Sequence, residues 1–362
     1  MSIDILKTVT IRDGHDNFFT PLRFILAYMV LIGHAFVVVG GLRDSEPHIF
    51  FELTFSYMAV NLFFIASGFL VTASMMFRKN MASFVSARIL RIFPALIVHV
   101  LLMMFVFGLM TTTLPFIDYL THPDTLKQPF IVLPFIETNM ALPGILPNNH
   151  EHIASATLWT LRYEVLAYIG TFLVFSLGLM KHRWMILAQF LIFAIAVPLA
   201  YQFGIYEKLP ATLQACLRFG LCYGLGAAIY AYRDKIKLHI LAIPALVLLT
   251  SLSHNTVMFE VIGVVTAGYM LFWAAYVTLP QLNFLKKLDD VSYGLYIYHW
   301  AVLQGIHHVL PGISIWALIA LTTPMAIGFS MMSWQYVEKP ALAYKGKFAR
   351  KLSFKKSKTL NV

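Results

Sequence analysis

Apolar residues run through this chain in long blocks instead of alternating, and ten of these blocks are long enough to matter. They cover approximately 21–40, 53–77, 89–113, 158–180, 184–203, 211–232, 238–253, 256–279, 290–310 and 313–337. A helix that crosses a bilayer needs about 20 mostly apolar residues, because the backbone must satisfy its own hydrogen bonds across roughly 30 Å of hydrocarbon. The pattern therefore predicts an all-α polytopic membrane protein of about 10 transmembrane helices. An N-terminal segment, 1–20, precedes a transmembrane domain, 21–340, and a basic tail, 341–362, follows it. The connection 114–157 carries Pro115, Pro123, Pro129, Pro134, Pro143 and Pro147 between short apolar runs, which predicts a packed cap or a partly re-entrant loop.

Composition removes the soluble alternatives. Of 362 residues, 59% are apolar and only 12% charged, and the mean hydropathy is +0.74, values outside the range of a soluble globule. Cys216 and Cys222 both lie in one apolar block and read as core thiols, not as a disulfide framework. The net charge of +10 is informative through its position. Connections holding Arg78, Lys79, Arg88 and Arg91, then Lys181 and Arg183, then Arg233, Lys235 and Lys237, then Lys286 and Lys287, alternate with connections holding only Arg43, Lys127 and Lys208. Both termini fall on the cation-rich side, and the tail adds Lys345, Lys347, Arg350, Lys351, Lys355, Lys356 and Lys358. That side is the cytoplasm by the positive-inside rule, so the basic tail is expected to meet lipid headgroups and not nucleic acid. The first block lacks a clear cleavage site and is expected to stay as the first span.

Ionisable residues at membrane depth are costly and tend to mark functional paths. Arg23 lies at the inner start of the first span and His34 follows eleven positions later, about three turns and roughly 16 Å deeper on the same helix face. Glu164, in "TLWTLRYEVLAY", enters from the opposite side and is expected to meet either His34, as a carboxylate orienting an imidazole base, or Arg218. Arg88 and Arg91 share one face at the inner mouth of the third span, where two guanidiniums suit phosphate oxygens. His99 reads as a packing residue, His299 lies at mid-depth in "SYGLYIYHW", and Tyr293, Tyr296 and Tyr298 form a stripe beside it. The tracts His150 to His152 and His307–His308 lack the spacing of a metal site, so no metal is expected. Glycines in "GLCYGLGAA" and "VIGVVTAG" suit close helix approach. Phosphate-binding loops, Gly-x-Ser-x-Gly elbows and HExxH motifs do not occur, so any chemistry is expected within the helix bundle.

Six segments together resemble one family, the membrane-bound acyltransferase 3 family, which moves acyl groups, most often acetyl, onto extracytoplasmic glycans. They are Arg23 with His34, "VNLFFIASGFLVT", "FVSARILRIFPAL", "LWTLRYEVLAY", "VSYGLYIYHW" and "SWQYVEKP", in order from about 20 to 340. Ala59 and Asn61 depart from the glycine and the acidic residue common in the second of these. The resemblance implies acetyl-CoA as donor, a glycan or lipid-linked glycan as acceptor, and His34 with Glu164 as catalytic residues, His34 acting as base or as transient acyl carrier. Arg23, Arg88 and Arg91 would hold the donor. Asn61, Ser67, Trp159, Arg218, Tyr298, His299 and Glu338 would line the cavity, Glu338 pairing with the donor-site arginines. It also implies a stand-alone member, without the esterase-like domain fused in some relatives, in a bacterial inner membrane. A proton-coupled transporter or lipid-linked glycan flippase, with His34, Glu164 and Arg218 as the relay, is the alternative.

Overall fold

A computed structural model describes residues 8–11, 16–78 and 80–357, which leaves Lys79 and Lys358 outside the described residues. Helices occupy all ten predicted blocks: α1 (Phe19–Gly40), α2 (Phe55–Arg78), α3 (Met81–Thr111), α4 (Trp159–Ser176), α5 (Arg183–Gln202), α6 (Ala211–Ala231), α7 (Ala242–Leu252), α8 (Phe259–Tyr276), α9 (Ser292–Val309) and α10 (Ile315–Ala343). Among the described residues seven of them, all but α4, α7 and α9, are long and apolar enough to cross a membrane. Helices α4 and α9 reach 18 residues each but carry the polar side chains singled out above. Helix α7 has 11 residues, about 16 Å, because β2 (Lys237–Leu238) draws the start of the predicted block into a two-stranded ribbon with β1 (Val9–Thr10).

Two helices run further than the apolar pattern predicts. Helix α3 starts at Met81, where Asn80 caps it by accepting from the Ser83 amide at 3.0 Å, so Arg88 and Arg91 stand within the helix and not in a connection. Helix α10 continues past its apolar block through a π-turn, Trp334–Glu338, and α11 (Lys345–Ser357) then turns the basic tail into a helix against α3, where Ser86 donates to the Lys345 carbonyl at 2.8 Å.

The chain forms two compact units. The first gathers the described residues of Met1–Leu26, Met58–Lys79 and Tyr163–Leu288, and the second those of Ala27–Tyr57, Asn80–Arg162 and Asp289–Val362. In the first unit Phe19, Phe69, Phe272 and Tyr276 form an aromatic cluster. Helices α2 and α6 meet there at glycines: a Cβ on Gly68 would strike the Tyr223 carbonyl, and one on Gly226 the Ile65 carbonyl.

In the second unit the stretch 114–157, the cap, folds back against α3. Three short helices, Phe116–Thr121, Pro123–Leu126 and Gln128–Val132, are fixed to α3 by Tyr119, whose hydroxyl donates to the Met104 carbonyl at 2.8 Å and whose phenol is pushed up to about 12 by burial. Arg162 holds the end of the cap by donating to the carbonyls of Phe135 and Ile136. The last part, 149–158, is irregular yet largely buried. Ala154, Ser155, Thr157 and Leu158 are fully enclosed, and the Ala154 amide donates to the Met140 carbonyl.

Candidate active site

In the second unit, α1 and α9 bring two imidazoles together. His34 Nδ1 lies 2.9 Å from His299 Nε2, with the rings inclined by 27°. His299 is fully buried, and its Nδ1 is 2.9 Å from the carbonyl of Leu295, one turn earlier on α9. Trp300, the next residue, sets its ring edge-on to His34 at 5.2 Å and donates its indole N–H to the Ile153 carbonyl. The irregular segment 149–158 therefore reaches the level of the imidazole pair. It also touches α3, where Ser155 Oγ lies 3.1 Å from His99 Nε2, and it touches α9 through Asn149, which donates to the carbonyl and side-chain oxygens of Gln304.

The same unit also holds a charge cluster. Arg91 Nη2 meets Asp290 at 2.8 Å and Nη1 meets Glu338 at 3.3 Å, while the rings of Tyr293 and Trp334 flank the guanidinium. Glu338 is 1% exposed and also accepts from Ser333 Oγ, and Asp290 accepts from Ser292 Oγ. The π-turn of α10 is what carries Glu338 to this point. Arg88, one turn before Arg91, lies over the Phe84 ring. Helix α9 links the cluster to the imidazoles: Tyr293 donates its hydroxyl to the Ile92 carbonyl beside Arg91, and His299 stands six residues further on, about 9 Å along the helix axis. Tyr298 is buried with its ring near His99.

The first unit holds the other candidates. Arg218 Nε donates to Asn61 Oδ1 at 2.7 Å and its guanidinium rests on Phe219. Glu164 accepts from the Tyr168 hydroxyl one turn along α4, and Thr171 pairs with Tyr223 at 2.6 Å. A cavity of about 250 Å³ lies beside this group, lined by Phe64, Tyr163, Gln189, Phe193, Cys216 and Tyr223 among others. Ser67 and Arg23 are half-buried in this unit, and Trp159, in the second, is exposed at the start of α4.

The structure thus joins His34 to His299 and Arg91 to Glu338, and gives Glu164 a tyrosine partner. Sequence reasoning missed Asp290. The cue was an acidic pair, Asp289–Asp290, set inside an otherwise basic inner connection. It also missed Ile153 and Ser155, because nothing in a proline-bounded loop announces that it turns inward. Among the described residues no group of three or more histidine, cysteine, aspartate or glutamate side chains is arranged to hold a metal ion.

Comparison with known proteins places the chain in a family. A family model described as an acyltransferase domain, acyltransferase 3, matches residues 17–334. The chain is 28% identical over 370 aligned positions to nodulation protein 10 of Rhizobium leguminosarum bv. viciae, covering 94% of this chain and 97% of that protein. It is 26% identical over 327 positions to an O-acetyl transferase of Shigella phage Sf6, covering 89% and 95%. No solved structure matches. The match takes in α1 through most of α10, with both imidazoles, Arg91 and Asp290, and on it the chain belongs to the acyltransferase 3 family of membrane acyltransferases.

Proposed function

We propose that this protein transfers an acetyl group from cytoplasmic acetyl-CoA to a hydroxyl of an extracytoplasmic glycan, with His34 as general base. The observation that carries the reading is that α9 touches both groups: His299 on it meets His34, and Tyr293, whose ring flanks Arg91, lies six residues earlier, about 9 Å along the axis. In this scheme the chain crosses the bacterial inner membrane ten times, with both termini in the cytoplasm. Arg88 and Arg91 hold the phosphates of coenzyme A at the inner mouth, and the pantetheine arm extends toward His34. Asp290 and Glu338 hold Arg91 in place, so its fork is preorganised.

A glycan hydroxyl, free or lipid-linked, enters under the 114–157 cap. His34 takes its proton as the oxygen attacks the thioester carbonyl. The tetrahedral intermediate then collapses, the C–S bond breaks, and the proton passes from His34 to the departing thiolate. Trp159 and Tyr298, in the unit that holds the imidazoles, line the acceptor path.

Mass spectrometry of envelope glycans from cells with and without the protein tests the scheme. Acetyl esters should appear with the native chain and not with His34→Ala, although that variant inserts normally. Esters at native levels from His34→Ala remove the imidazole from the chemistry.

A further inference from the structure

The hydrogen bonds of the two rings fix their tautomers. A carbonyl oxygen only accepts, so the contact between His299 Nδ1 and the Leu295 carbonyl places the hydrogen of the neutral His299 ring on Nδ1. Its Nε2 then carries a lone pair, and the nitrogen 2.9 Å away, His34 Nδ1, must be the donor. In the neutral His34 ring that leaves the lone pair on Nε2. Trp300, braced on the Ile153 carbonyl, fixes the ring plane from the edge.

We infer that His299 is a positioning residue that selects the tautomer of His34, so that Nε2 is the atom that takes the acceptor's proton. The inference rests on the acyltransferase reading with His34 as base. His299 plays the part that a carboxylate plays in a Ser-His-Asp triad, with a neutral ring as acceptor in place of a charged one. When His34 Nε2 takes the hydroxyl proton, the Nδ1–H bond to His299 becomes charge-assisted and strengthens as positive charge develops. The proton leaves from Nε2 to the thiolate of coenzyme A, and His299 keeps its own hydrogen on Nδ1 throughout. Helix α9 thus supplies orientation from its own backbone, through one imidazole, to the reacting one.

The test uses full-length protein in nanodiscs, with acetyl-CoA and de-O-acetylated envelope polysaccharide from cells lacking the protein, and follows release of the coenzyme A thiol. His299→Leu should lower kcat on the order of 100-fold or more, the scale of a mis-set tautomer or lost base, with KM for acetyl-CoA unchanged. His299→Gln, whose side-chain oxygen accepts from His34 Nδ1–H, should recover about tenfold of that loss, a rescue that a purely packing role does not give. His299→Asn, polar but too short to reach His34, replaces the leucine variant if leucine prevents insertion. Undiminished kcat in the leucine variant, or glutamine no better than leucine or asparagine, overturns the inference. Activity in His34→Ala removes the underlying reading, whereas inactive His34→Ala beside fully active His299→Leu overturns the tautomer assignment alone.

Discussion

Arg91 and Arg88 are one turn apart and belong to different environments. Arg91 is held between two carboxylates, and one of these, Glu338, is 1% exposed. Removing one partner of a buried pair leaves a desolvated charge behind and costs about 3–5 kcal/mol. Arg91→Ala should therefore lower thermal stability measured in detergent, and pairing it with Glu338→Gln should restore much of the loss. Arg88→Ala should raise KM for acetyl-CoA several-fold in the thiol-release assay, and an unchanged KM would take Arg88 out of donor binding. The individual candidates were legible in sequence because ionisable residues in apolar helices are few and costly. The pairing of Arg91 with Glu338, 247 positions away, came with the family resemblance and not with the spacing, and the pairing of His34 with His299, 265 positions away, was not legible at all. No periodicity along one helix reports which distant helix faces it.

Helix positions follow the apolar blocks because burial in hydrocarbon dictates them, and ends follow local chemistry that the blocks do not contain. The Asn80 cap extends α3 by a full inner turn and more, a π-turn carries α10 on to Glu338, and a strand shortens α7. Asn80→Ala should cost about 1 kcal/mol by loss of the cap, seen as a lower midpoint of thermal unfolding. Helices α2 and α6 depend on Gly68 and Gly226, where backbone carbonyls occupy the space of a side chain. Gly226→Val should collapse that contact and yield protein that aggregates on extraction, whereas the same change at Gly170, which has open space around it, should be tolerated. Size-exclusion profiles of the two variants decide this, and matching profiles would count against close packing at Gly226.

For the whole molecule, class and family were readable from hydropathy and ordered motifs, because both are properties of the chain as a sequence of blocks. The number of crossings turns on α7, whose 11 residues alone span about half of a hydrocarbon core. If α7 crosses with its flanking residues, Lys235→Cys should react with a membrane-impermeant thiol reagent only from the cytoplasmic side and Asn255→Cys only from the outside. Labelling of both from one side would give eight crossings, or nine with altered ends, in place of ten. The cap carries a different consequence. Its surface tip at Pro147–Asn148 is exposed, while Ala154 and Ser155 a few positions later are sealed beside His99 and Trp300. A peptide epitope spliced in at the tip can be displayed to an antibody without disturbing the interior, and the same epitope seven residues downstream would have to displace the wall behind the imidazoles.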